Sequence, residues 1–163
     1  MKILKYLTNT QKKENAKMSA DFIGQFENSV HKQRITIPTA FKKKFTIAAK
    51  STIVATLGEK NSIAIYPMDN WNALCDKLKK GDSAQRKMLR FLRAFATPEQ
   101  VLEGPGRIKL SEALLKNAKI SKKAILQGNG DYISVWNPEL FEIEREKLQN
   151  EMMNGFDPDM LNL

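Results

Sequence analysis

Gln33-Arg-Ile-Thr-Ile-Pro-Thr-Ala-Phe-Lys-Lys-Lys-Phe45 and Gly106-Arg-Ile-Lys-Leu-Ser-Glu-Ala-Leu-Leu-Lys-Asn-Ala118 carry one pattern twice. Each opens on an arginine after a tight polar turn, alternates apolar and polar residues through a short strand, and runs into a short helix. Working outward, Ser62-Ile-Ala-Ile-Tyr-Pro-Met-Asp-Asn-Trp71 is echoed by Tyr132-Ile-Ser-Val-Trp-Asn-Pro-Glu-Leu-Phe141, a strand ending in an aromatic and followed by another helix. A duplicated supersecondary unit brings two equivalent copies of any surface it carries. Each unit has only about 45 residues, near the size at which a lone domain buries too little surface. The two copies are therefore expected to pack on each other.

The periodicities fill in an α+β chain. Every second residue from Phe22 to Val30 fits a half-buried strand, and His31-Lys32-Gln33 a polar turn before a second strand over 34–37. Pro38 suits the first turn of a helix reaching Phe45. A hairpin over 51–66 turns at Gly58-Glu-Lys-Asn61. Asp69 or Asn70 is expected to cap a helix burying Trp71, Leu74, Cys75 and Leu78. Ser83 is expected to cap the next, which presents Met88, Leu92 and Phe95 at i, i+4 and i+7. In the second half, a strand over 99–103, the turn Gly104-Pro-Gly106 and a strand over 107–110 precede a helix capped by Ser111. Gly128-Asn-Gly-Asp131 then closes a hairpin over 123–136, and 138–152 reads as an amphipathic helix. The expected division is a basic arm over 1–20, a first module over 22–70, linking helices over 71–97, a second module over 98–141, and a C-terminal helix and tail over 142–163.

Composition narrows the function. The net charge is +9 and the pI near 9.6 over 163 residues, which points to a polyanionic partner, nucleic acid before an anionic membrane surface. The charge is also directional: residues 1–50 hold 11 Lys/Arg against 3 Asp/Glu, and residues 139–163 hold 2 against 7. No apolar run approaches the ~20 residues of a membrane span, and a single cysteine, Cys75, leaves no disulfide framework, so a cytoplasmic location is expected. One histidine and one cysteine cannot assemble a His/Cys metal cluster within one chain. Neither a GxGxxG nor a GxxxxGK[ST] loop occurs. The expectation is a non-enzyme with no cofactor, no metal and no small-molecule substrate. RNA binding would call for exposed aromatics, whereas Tyr66, Trp136 and Phe141 occupy core-like positions.

Candidate function rests on the arginine turns. Arg34 and Arg107 follow tight turns and so can project from a hairpin tip, and a guanidinium fork suits phosphates and guanine edges alike. Lys32 adds a cation beside Arg34, while His31 and Gln33 offer hydrogen bonds to backbone or bases. The competing reading pairs each arginine with an acid such as Glu27 or Glu103; spacing alone divides the two evenly, and the charge balance favours nucleic acid. Lys42-Lys43-Lys44 reads as a solvated helical face. Arg86, Lys87, Arg90 and Arg93 form a basic stripe that could hold phosphates or meet the acidic C-terminal helix of a neighbouring copy.

Taken in order, these motifs resemble the MraZ family of bacterial regulators, built from two SpoVT/AbrB-type swapped-hairpin modules. Members carry twice an Asp-x-x-Gly-Arg motif leading into an alternating strand, usually with a proline. Glu103-Gly-Pro-Gly106-Arg107-Ile-Lys-Leu matches with Glu for Asp and Ser111 for the proline. Val30-His-Lys-Gln-Arg34-Ile-Thr-Ile-Pro38 keeps Arg and Pro but lacks the glycine, in a turn one residue shorter. Phe22-Ile-Gly-Gln-Phe26, Arg86-Lys-Met-Leu-Arg90 and Trp136-Asn-Pro-Glu-Leu-Phe141 also fit, so the resemblance covers 22–146. It implies a pseudo-twofold, double-psi-like swapped-hairpin barrel with flanking helices. It further implies a nucleoid-associated repressor that binds direct repeats in double-stranded DNA ahead of its own division and cell-wall operon, as a ring that is often octameric. Carried over, Arg34 and Arg107 would contact DNA, supported by Lys32, His31 and Gly106. Loss of the glycine restricts positive φ in the first turn, so a different turn type is expected there.

Overall fold

The computed structural model describes residues 18–161; of the expected arm over 1–20, residues 1–17 lie outside the described residues. The last three are anchored. Ser19 is fully buried, and its N–H and hydroxyl donate to Asp69 Oδ2 at 2.7 and 2.9 Å. Thr46 Oγ1 donates to the same oxygen at 2.8 Å, and Asn70 Nδ2 donates to the Ser19 carbonyl at 2.6 Å. Ordered structure thus begins before Phe22, tied down by a carboxylate whose sequence signal is that of a helix cap.

Among the described residues eight strands and five α-helices follow: β1 (Gln25–Ser29), β2 (Arg34–Thr36), α1 (Thr39–Lys42), β3 (Thr52–Leu57), β4 (Ile63–Pro67), α2 (Met68–Lys79) and α3 (Ser83–Phe95) in the first half. The second half holds β5 (Gln100–Val101), β6 (Arg107–Lys109), α4 (Glu112–Asn117), β7 (Lys123–Gly128), β8 (Ile133–Trp136) and α5 (Pro138–Gly155). Six strands make one curled antiparallel sheet in the order β1-β7-β8-β4-β3-β5, and β2 and β6 make a separate two-stranded ribbon.

The halves exchange strands. β1 pairs with β7 of the other half, and β5 pairs back with β3. The strands flanking each arginine turn pair by backbone only at the turn itself, through the bridges His31↔Arg34 and Glu103↔Arg107. Where the halves meet, equivalent residues face each other. β2 and β6 cross at Ile35↔Ile108, and β4 and β8 at Ala64↔Ser134. Those are corresponding positions of the two repeats. The concave side of the sheet then closes over a core drawn from both halves, including Phe22, Ile35, Phe41, Ile108, Leu114 and Leu126. Phe41 anchors it, with its ring edge-on to Phe22 at 5.9 Å and to Phe26 at 5.2 Å, contacts that add about 0.5–1.5 kcal/mol each beyond burial. β3 is buried on both faces: Ile53 and Ala55 enter this core, whereas Val54 packs with Trp71, Cys75, Leu78 and Leu89 under the helices.

Two helix starts differ from expectation. α2 begins after Pro67 with no side-chain cap, because Asp69 serves Ser19 and Thr46. α3 is capped by Asp82, which forms a reciprocal capping box with Gln85, so Ser83 is the first helical residue. α3 is also rotated: Leu89 is the buried position, and Met88, Phe91 and Phe95 stay about half exposed. By contrast Ser111 caps α4 as expected, its hydroxyl accepting from Leu114 N–H at 3.2 Å.

Tyr66 of β4 and Tyr132 before β8 stack across the join between the halves, ring centroids 5.3 Å apart. Burial, then repulsion from Tyr132 and Asp131, pushes the Tyr66 phenol from 10.0 up to about 12; burial raises that of Tyr132 as well. A raised phenol favours the folded state while neutral, so this contribution is complete below pH 10 and is lost as pH rises toward 12. Urea midpoints followed across that window should fall more steeply for the wild type than for Tyr66→Phe. Parallel curves would remove the tyrosine pair as the cause.

Candidate nucleic-acid interface

The ribbon of β2 and β6 is three residue pairs long: Arg34↔Lys109, Ile35↔Ile108 and Thr36↔Arg107. Strand alternation puts Ile35 and Ile108 into the core, at 1% and 2% exposure. It leaves Arg34, Thr36, Arg107 and Lys109 on the opposite face, the three cations exposed and Thr36 half-buried. Arg34 and Arg107 are diagonal neighbours across the ribbon, a separation of about 7–8 Å between backbones. The two turns lie at opposite ends of the ribbon because its strands are antiparallel. The arginines themselves share one face.

Each turn is held by the other half. The Gln33 carbonyl accepts from Leu110 N–H at 2.8 Å, and the Gly106 carbonyl accepts from Ile37 N–H at 2.9 Å. The outer edges of the ribbon are closed by amide side chains at matching places. Asn28 Nδ2 donates to the Thr36 carbonyl at 2.6 Å. Gln100 donates to the Lys109 carbonyl at 2.7 Å and accepts from Lys109 N–H at 2.8 Å. A sheet edge satisfied this way is rigid and closed to further strand pairing.

The first turn reaches the expected tightness by an unexpected route. Arg34 N–H donates to the His31 carbonyl at 2.9 Å and His31 N–H to the Arg34 carbonyl at 3.0 Å. Between them Lys32 and Gln33 both adopt left-handed backbone, φ 48° and 65°. That is the mirror-image turn natural to hairpins, normally supplied with glycine or asparagine. Its positive φ is thus kept without glycine, at a cost of about 1–2 kcal/mol per residue. Gln33→Gly is expected to stabilise the fold by about 0.5–1 kcal/mol, because glycine removes that strain and loses part of the gain to chain entropy. A thermal midpoint raised by about 2–4 °C per kcal/mol would be the readout; a lowered one would show that the Gln33 side chain outweighs its backbone.

In the second turn Glu103 and Arg107 exchange backbone bonds of 3.0 and 2.8 Å, with Gly104 and Gly106 at φ 50° and 110°. A methyl group on Gly104 would sit 3.5 Å from Arg107 Nη2, so the guanidinium lies over the turn. His31, Lys32 and Arg107 are exposed; Gly106 is buried. A side chain at Gly106 would collide with Lys42 Cδ, so this glycine shapes the loop rather than its surface. Lys42 is half-buried over it, Nζ donating to the Pro105 carbonyl at 2.5 Å, and is therefore no simple solvated residue. Among the described residues neither Arg34 nor Arg107 makes an ion pair, and Glu27 reaches Lys123 at 4.0 Å. Two residues join the face beyond those read from motifs. Lys109 stands opposite Arg34, and Lys42 braces the second turn. Period-two spacing from Arg107 signals the first; nothing local signals the second, whose partner is 63 residues away.

Among the described residues no helix is long and apolar enough to cross a membrane. Trp136 and Phe141 are buried and Tyr66 is half-buried, so none of these three aromatics is a fully exposed stacking surface. Comparison with known proteins gives a consistent assignment. The family model described as "MraZ protein, putative antitoxin-like" matches residues 31–94 and again 95–162. A protein named transcriptional regulator MraZ from Legionella pneumophila (strain Corby) is 32% identical over 136 residues, 79% of this chain and 89% of that protein. One of the same name from Thermomicrobium roseum is 31% identical over 134 residues, 80% and 91% of the two chains. One from Alkaliphilus metalliredigens is 31% identical over 119 residues, 71% and 80%.

Proposed function

The chain belongs to the MraZ family of transcriptional regulators, not of enzymes, and from that premise we propose that it binds double-stranded DNA sequence-specifically through the β2–β6 ribbon. The observation that carries this reading is the shared outward face of Arg34, Arg107 and Lys109, one arginine from each repeat. A two-stranded ribbon fits the major groove, where arginine forks read guanine edges and lysines hold phosphates. His31 and Lys32 extend the face at one end, and Gly106 with Lys42 keeps the other end in shape. We read the exchanged strands as the swapped-hairpin barrel the resemblance implies, with modules over 22–70 and 98–141.

The finer reading is a repressor of its own division and cell-wall operon, cytoplasmic and nucleoid-associated, acting on promoter direct repeats. One ribbon covers few base pairs, so self-association into a ring would multiply weak contacts through effective concentration. Anisotropy titration of the purified protein against a duplex carrying the repeats upstream of its own gene, at several salt concentrations, tests this. Affinity should fall with salt by about 0.9 log units per log unit for every phosphate neutralised. It should also exceed that for scrambled DNA by at least the 10³-fold typical of specific sites. Equal affinities for both duplexes would end the sequence-specific reading. The antitoxin-like wording of the family description supports a second reading, a protein-binding module. That reading predicts a co-purifying protein and no salt-dependent DNA binding.

A further inference from the structure

Two helices carry apolar stripes that the described residues leave uncovered. On α3, Ala84, Met88, Phe91 and Phe95 recur at alternating steps of four and three, the spacing of a seam that meets another helix. Leu89 faces the protein's own core. Met88, Phe91 and Phe95 remain 49%, 48% and 46% exposed, with the two phenylalanine rings 5.3 Å apart. Beside that seam stand Arg86, Lys87, Arg90 and Arg93, and α3 holds no acid.

On α5 the stripe outruns the core. Its 18 residues span about 27 Å. Phe141 is buried against Trp136 and Glu144 is held by Lys60 at 2.7 Å. Beyond them the same side continues through Leu148 and Met152, 52% and 50% exposed, and Phe156, 47% exposed, follows just past the helix end. From residue 146 to 161 the overhang and the short segment after it carry acids against Lys147 alone: Glu146 and Glu151 on the helix, Asp157 and Asp159 just beyond it.

We propose that the overhanging half of α5 of one copy lies along α3 of a second copy, seam on seam and acids on arginines. The inference rests on the self-association included in the proposed function and names the surface responsible. Charge decides the pairing. α3 against α3 would set two basic flanks together, α5 against α5 two acidic ones, and like charges across an interface cost several kcal/mol. Only the mixed pair is complementary. A mixed pair is heterologous, leaving a free α3 at one end and a free α5 at the other, so copies add head to tail and close into a ring where the rotation allows.

Sedimentation velocity on the full chain, with circular dichroism to confirm folding, tests this through two surface variants. Phe91→Asp spoils the α3 seam and Met152→Asp the α5 seam; each alone should sediment as a monomer. Mixed, they retain one good α3 and one good α5 between them, and should give a species of twice the 18.6 kDa chain mass and nothing larger. Arg90→Glu should weaken assembly at least tenfold, and Glu151→Lys in the same chain should restore it. Loss of assembly with Phe91→Asp but not Met152→Asp would mean α3 pairs with itself and would overturn the proposal. So would a mixture that stays monomeric. Variants that assemble like the wild type would show that something else covers these stripes, residues 1–17 of the same chain included. A wild type that is itself monomeric would instead remove the self-association on which the inference stands.

Discussion

Alanine at both Arg34 and Arg107 is expected to weaken binding to the cognate duplex by about 2–6 kcal/mol, each single change by about 1–3 kcal/mol. Both side chains leave one exposed face of one ribbon, so a duplex lying on that face meets both. Residues this close share a partner and need not be additive; a double-mutant cycle will report their coupling. An arginine that reads a base should relax specificity at that base. One that holds a phosphate should weaken all sequences alike and reduce the salt slope by about 1. Lys109→Ala, beside Arg34, is expected to behave in the second way. Since none of the three makes an ion pair among the described residues, urea midpoints should not change. Unaltered affinity and salt slope in the double variant would discard the assigned role, and affinity lost together with stability would make the arginines structural.

Much of this interface is legible in the chain because it depends on local rules. Period two places Arg107 and Lys109 on one side of a strand, and Ser111 three residues before Leu114 announces its helix. Which strand would find which partner is not written locally. Alternation tells a strand which face to bury, not whose edge to join. The residues from Phe22 to Val30 therefore read as half of a hairpin with 34–37, yet they pair with β7, about 100 residues on. Asp69 shows a second limit. Its position invites a helix cap, but a carboxylate near Ser19 and Thr46 satisfies three donors there at 2.7–2.9 Å, and tertiary contacts override local propensity. The turn at Lys32 and Gln33 shows a third: bonds from both sides of the ribbon hold a strained backbone that the two residues would not choose alone.

The exchanged strands also predict that neither repeat folds as a monomer. A fragment over 18–97 keeps β3 with β4 but loses the partners of β1, β2 and the free edge of β4. A fragment over 98–161 keeps β7 with β8 and loses those of β5 and β6. Each also loses half of a core to which both contribute, with Phe41 separated from Leu114 and Leu126. A full-length chain of this size is expected to hold about 5–15 kcal/mol. Removing one face of the core forfeits more than that, since single buried phenylalanines already contribute about 3–5 kcal/mol each. The isolated fragments should show no cooperative urea transition when dilute, and mixing them should restore one. The crossing points refine the expectation. Ile35 meets its own counterpart Ile108, and Ala64 meets Ser134. A second copy of the first fragment can therefore stand in for the missing repeat, placing Ile35 against Ile35. Folding of the 18–97 fragment should then appear only as its concentration rises, with a midpoint that shifts by mass action. A concentration-independent transition in either fragment would mean that a repeat carries its own core, and the strand exchange would be ornament rather than the source of stability.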